Sequence, residues 1–92
     1  MYIKIYDRAL ALARAPTELN YGEILTLSYI HSFYENGGRC FATNKALADV
    51  LETSERTVKR WIQNLKEKKL VDVYYEDVNG VERRVIGSKL AL

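Results

Sequence analysis

Ninety-two residues with a formal net charge of +2, 48% hydrophobic and 28% charged, describe one ordinary globular domain. No apolar run approaches the ~20 residues of a membrane span, and Asp7 and Arg8 interrupt the N-terminus before a signal-type core forms, so the expected location is cytoplasmic. A lone cysteine, Cys40, excludes an intrachain disulfide, and together with the lone histidine, His31, it falls short of the four ligands of a structural zinc site; no metal or cofactor is expected.

In chain order, Tyr2-Ile3-Lys4-Ile5-Tyr6 alternates large and polar residues in the manner of a short strand. Asp7 then caps a short helix from Arg8 to Arg14, which ends before Pro16 because proline disfavours helix at the preceding residue. Residues 1–18 thus read as an N-terminal arm, a candidate dimer contact, ahead of a domain spanning 19–92. From Asn20 to about Glu35, the residues Ile24, Leu27, Ile30, His31 and Tyr34 recur at helical spacing. Asn20 is the cap of that helix, and Asn36-Gly37-Gly38 is its stop signal.

Cys40-Phe41-Ala42 is a brief extended run. Thr43 caps a second helix, Asn44 to Leu51, whose apolar side is Leu47, Val50 and Leu51. Glu52-Thr53-Ser54 makes a tight connection, and Ser54 caps a third helix from Glu55 to about Lys69. After Leu70 the period changes from 3.6 to 2, and Asn79-Gly80 between two such runs is a strong hairpin signal. A two-residue turn there pairs Glu76 with Arg83, Tyr75 with Arg84, Tyr74 with Val85 and Val73 with Ile86. Asp77 opposite Glu82 is mildly unfavourable, which leaves a longer turn open.

The charge is unevenly spread. Between residues 56 and 69, Arg56, Lys59, Arg60, Lys66, Lys68 and Lys69 face one acid, Glu67. Such a surplus reads either as a footprint for a polyanion or as a solvated helix face. On the third helix Val58, Trp61, Ile62 and Leu65 form one apolar stripe ~100° wide, which must face a core. Arg56, Arg60 and Gln63 lie opposite, with Lys59 and Thr57 flanking. Arg and Gln are the side chains that make bidentate contacts with guanine and adenine edges, and a helix fits the major groove of DNA.

Two short helices joined by a tight turn make a helix-turn-helix candidate. Thr43, Asn44 and Lys45 open the first of them, where backbone N–H groups and the helix dipole favour a phosphate. Thr43 and Ser54 serve as caps, as phosphate ligands, or as both. The hairpin reads as a wing. Arg83 and Arg84 occupy opposite faces of its second strand, so at most one is aimed at a given DNA backbone; a purely sheet-stabilising role stands beside that reading.

The stretch from Thr43 to Val71, with Leu47-Ala48, Ser54, Arg56-Thr57-Val58, Ile62 and Leu65, resembles the winged helix-turn-helix core shared by many bacterial regulators and replication proteins. With the upstream Leu19-Asn20-Tyr21-Gly22-Glu23-Ile24-Leu25 and the hairpin, the resemblance covers about residues 19–87. It looks most similar to the amino-terminal domains of replication initiators from phages and plasmids of Gram-positive bacteria, which place a leading strand ahead of the first helix. The resemblance implies a mainly α fold with a small antiparallel sheet (α+β): a three-helix core, a C-terminal β-hairpin wing and an extra N-terminal strand. It also implies binding of double-stranded DNA in replication initiation or transcription regulation.

Two other classes compete. Catalysis is not expected: His31 and Cys40 read as core residues, and no Gly-rich phosphate loop or Ser/His/Asp set is present. A protein-docking or dimerisation module without DNA contact is the alternative, because seven tyrosines exceed what so small a core needs and tyrosine is enriched at interfaces. The expected contact set is Thr43, Asn44, Lys45, Ser54, Arg56, Thr57, Lys59, Arg60, Gln63, Arg83 and Arg84, with a homodimer favoured because two copies read paired half-sites. No membrane or small-molecule partner is expected.

Overall fold

Helix caps and one turn account for most of the architecture. The chain, a computed structural model that describes residues 3–15 and 17–90, runs α1 (Asp7–Ala11), α2 (Tyr21–Glu35), α3 (Asn44–Leu51), α4 (Glu55–Glu67), β1 (Val71–Val78) and β2 (Val81–Ser88). At the start of α2, Asn20 Oδ1 accepts from the Glu23 N–H at 2.8 Å, and Glu23 Oε1 accepts from the Asn20 N–H at 3.0 Å. This reciprocal box satisfies two otherwise orphaned donors and contributes about 1 kcal/mol. Thr43 and Ser54 cap α3 and α4 in the expected way, each hydroxyl accepting a backbone N–H at 3.1 Å.

All three long helices end alike. A left-handed residue follows each one, Gly37, Glu52 or Lys69, and the next N–H reaches back five residues. Gly38 donates to the Phe33 carbonyl at 2.8 Å, Thr53 to Ala48 at 3.0 Å and Leu70 to Leu65 at 2.9 Å. This is the Schellman arrangement, which supplies donors to the last carbonyls. Only Gly37 advertises it in the sequence. That is why α4 stops at Glu67 and not near Lys69: the positive φ of Lys69 (60°) breaks the helix without a glycine to announce it.

The hairpin has the expected register, including Tyr75 opposite Arg84 and Val73 opposite Ile86. Asn79 and Gly80 both have positive φ, 54° and 80°, which suits the two-residue turn that follows the twist of the strands. Asp77 does face Glu82, at the solvated tip. Cys40 pairs with Ile86 as an isolated bridge, its carbonyl accepting the Ile86 N–H at 3.0 Å, so the brief extended run becomes a minimal third strand on the edge of β2. Helix, minimal strand, two helices and a hairpin wing make this a winged helix-turn-helix.

The N-terminal segment departs from expectation. Ile3 to Tyr6 forms no strand, and Tyr2 lies outside the described residues. Alternation alone does not make a strand without a paired neighbour; Tyr6 instead becomes an anchor, buried with its ring edge-on to His31 at 4.9 Å between centroids. Asp7 is the first residue of α1 and not its cap; Tyr6 holds the cap position without a side-chain hydrogen bond. Nor does α1 reach Arg14. Beyond Ala11, Leu12, Ala13 and Arg14 donate three residues back to Ala9, Leu10 and Ala11, so the helix tightens into turns.

One cluster forms the core. Leu27 and Ile30 of α2, Leu47 of α3, Val58 and Leu65 of α4 and Ile86 of β2 are fully buried in it, and Tyr6 and Ala9 of the arm join it. The Tyr34 hydroxyl donates to the Ile86 carbonyl at 2.8 Å, which fastens the sheet to α2. Arg39 and Glu76 form an ion pair at the wing.

Candidate nucleic-acid interface

The sequence of α4 dictates two unlike sides. Val58, Ile62 and Leu65 are buried, and half-buried Trp61 packs on Gly22 of α2 so closely that a methyl group at Gly22 would coincide with the indole ring. Glycine is required there for helix approach. With that side clamped, Arg56, Lys59, Arg60 and Gln63 are left exposed. Among the described residues, no carboxylate lies within ion-pair distance of Arg56, Lys59, Arg60 or Lys66. These cations are therefore available to an external anion.

The tight α3–α4 connection sets α3 beside this face. Thr43 and Lys45 are exposed at the start of α3; Asn44 is half-buried, with Oδ1 shielded from solvent and without a hydrogen-bond partner among the described residues. Ser54 and Thr57 are engaged with each other: besides accepting the Thr57 N–H, the Ser54 hydroxyl donates to Thr57 Oγ1 at 3.0 Å. The Thr43 hydroxyl accepts the Ala46 N–H. All three hydroxyls thus order helix starts, and the backbone donors they do not satisfy remain to face a ligand.

The wing arginines divide as strand alternation requires. Arg83 is exposed and sits opposite Glu76 in register. Arg84 is half-buried on the other face, beside Tyr75, and its Nη2 donates to the Ala42 carbonyl at 2.9 Å. That bond pins the guanidinium near the start of α3. A cleft of about 170 Å³ separates α4 from the wing, with Lys59, Gln63 and Lys66 on one wall and Tyr75 and Arg84 on the other. Asn44 closes one end, over an apolar floor of Ile62 and Val73.

Lys66 and Tyr75 line this region but stood outside the expected contact set, Lys66 having counted only toward the charge surplus of 56–69 and Tyr75 as a strand partner. Lys66 stands seven residues after Lys59 and so shares its side of the helix. Tyr75 is the register partner of Arg84, which the hairpin turn already implies. Both signals were present; only the packing of the wing against α4 joins them.

Within α2, His31 is buried and its Nδ1 lies 2.8 Å from Ser88 Oγ. Burial pushes its pKa below the usual histidine value, partly opposed by the Glu35 carboxylate. Burial likewise raises the pKa of the Cys40 thiol, which disfavours the reactive thiolate.

Among the described residues, no helix is long and apolar enough to cross a membrane. No curated protein matches the chain. Residues 17–71 match the family model of a helix-turn-helix domain. That match spans more than half of the chain and contains α2, α3 and α4, the last of which displays the unpaired cations. The protein belongs to this helix-turn-helix domain family.

Proposed function

We propose that the protein binds double-stranded DNA sequence-specifically, with α4 in the major groove. The reading rests above all on the exposed face of α4, where Arg56, Arg60 and Gln63 are free of acidic partners among the described residues. Arg56 and Arg60 present guanidinium forks suited to guanine edges, and Gln63 an amide suited to adenine. Lys59 runs along the groove. Thr43, Asn44 and Lys45, with Ser54 and Thr57 at the start of α4, hold phosphates on helix N-termini. Arg83 or Arg84 reaches a neighbouring backbone from the wing. The resemblance to phage and plasmid replication initiators supports a role in replication initiation or transcription regulation, in the cytoplasm, as a homodimer on paired half-sites. No catalytic role is proposed.

The test is selection of bound duplexes from a random pool, followed by titration of the winner against salt. About five phosphate contacts should make log K fall against log salt with a slope near −4 to −5. Arg60→Ala should cost roughly 1–3 kcal/mol on the selected site and relax preference at one base pair. A chain that selects no duplex, with a flat salt response, overturns the reading in favour of a protein-docking module. Affinity unchanged in Arg60→Ala removes Arg60 from the reading surface.

A further inference from the structure

The exposed side of α4 is two rows, not one. Arg56 and Arg60 stand four residues apart and point away from the molecule. Lys59, Gln63 and Lys66 follow each other at four- and three-residue spacing and form one wall of the cleft against the wing. Across that cleft stand Tyr75, 62% exposed, and Arg84, held by its bond to the Ala42 carbonyl. Among the described residues, no acid lines the cleft, and neither Lys59, Lys66 nor Arg84 is ion-paired. Among the described residues the shielded Asn44 oxygen has no hydrogen-bond partner, which leaves an amide at the cleft with unmet hydrogen-bonding capacity.

Three cations, two amides and a phenol around an apolar floor suit a ligand that is anionic along its length and has less polar parts between its charges. A sugar-phosphate strand has that character. We infer that the cleft between α4 and the wing holds one strand of the bound duplex by its backbone, with Lys59 and Lys66 on successive phosphates and the Tyr75 hydroxyl donating to a phosphate oxygen. This rests on the DNA-binding reading and divides its labour. Arg56 and Arg60, with Gln63 where the cleft wall meets the groove, read bases; Lys59, Lys66 and Tyr75 position the strand and carry no sequence information. Lys66 and Tyr75 thereby become positioning residues of the interface.

The experiment uses the full chain and a fluorescent duplex recovered by selection, with affinity followed by anisotropy from low to moderate salt. Lys66→Ala should flatten the slope of log K against log salt by about 0.9, and Lys59→Ala plus Lys66→Ala by about 1.8. The loss should be the same on selected and scrambled duplexes. Tyr75→Phe should weaken both duplexes equally, leaving the slope unchanged because no charge is removed. Replacing single phosphates with neutral methylphosphonates should reveal one position that costs the wild type affinity and costs Lys66→Ala nothing. Thermal melts check that each variant folds, as expected for exposed side chains. If the wild type binds and Lys66→Ala keeps its full salt slope, or loses affinity for one base pair only, the cleft assignment is wrong while DNA binding stands. If the wild type binds no duplex, both fail together.

Discussion

Helices α2 and α4 are similar in length and pack against each other, yet they have opposite fates. Seven residues of α2, Glu23, Ile24, Thr26, Leu27, Ser28, Ile30 and His31, are buried, whereas α4 buries only Val58, Ile62 and Leu65. The arm, α3, α4 and the sheet surround α2, so even its polar residues are enclosed, and among the described residues the Ser28 hydroxyl finds no hydrogen-bond partner while others are bonded. Thr26, for instance, donates to the Gly22 carbonyl at 2.7 Å. α4 keeps one stripe inside and sets its charges outside. A helix enclosed on most sides organises a fold; one anchored along a single stripe is free to meet a partner.

The sharpest break of that comparison is Leu27→Ala against Arg60→Ala. Leu27 is fully buried, and truncation should cost about 2–5 kcal/mol through lost burial and a residual cavity. Arg60→Ala should leave stability within about 0.5 kcal/mol of wild type while impairing DNA binding. Urea unfolding of the pair measures this; equal losses would mean that α4 is as structural as α2.

A smaller effect concerns how the helices end. Lys69 is strained at φ 60°, so Lys69→Gly should raise stability by roughly 0.5–1 kcal/mol, less whatever the freer unfolded chain takes back. A drop in the urea midpoint would show that the lysine side chain contributes more than its backbone costs. The same change at Gly37 is already present in the native sequence, which makes α2 the internal control.

The smallest effect is a pH dependence seated on α2. His31 has its folded pKa depressed by burial, so above the ordinary value of about 6.5 it is neutral in both states and contributes no pH dependence. As pH falls below that value the unfolded chain takes up a proton that the folded chain resists, and stability declines until the folded pKa is passed. Glu35 offsets part of this. Urea midpoints measured from neutral to mildly acidic pH should fall, and His31→Gln should flatten that fall. An unchanged profile in the variant would assign the dependence to other groups.

Much of this was legible locally. Asn20, Thr43 and Ser54 are caps whose chemistry is complete within three residues, and Asn79-Gly80 sets a register for the whole hairpin. That Arg56, Arg60 and Gln63 are exposed followed from the position of Val58, Ile62 and Leu65 on the opposite side. What was misread lacked a local determinant. Tyr2 to Tyr6 has the alternation of a strand, but pairing requires a neighbour that the segment itself cannot supply. The end of α4 turns on Lys69, a residue with no intrinsic preference for positive φ, whereas α3 ends at Leu51 as expected although a left-handed Glu52 closes it too.

Amino-acid order alone was sufficient for the three helix starts, the hairpin and the cationic side of α4, because each depends on contacts within a few residues or on a single periodicity. Tertiary packing decided the rest: that Gly22 admits Trp61, that Tyr6 is buried beside His31, and that Arg84 and Tyr75 come to face Lys59 and Lys66. Those juxtapositions join residues far apart in the chain, and only the shared core, which fixes α2, α4 and the sheet relative to one another, gives them a distance.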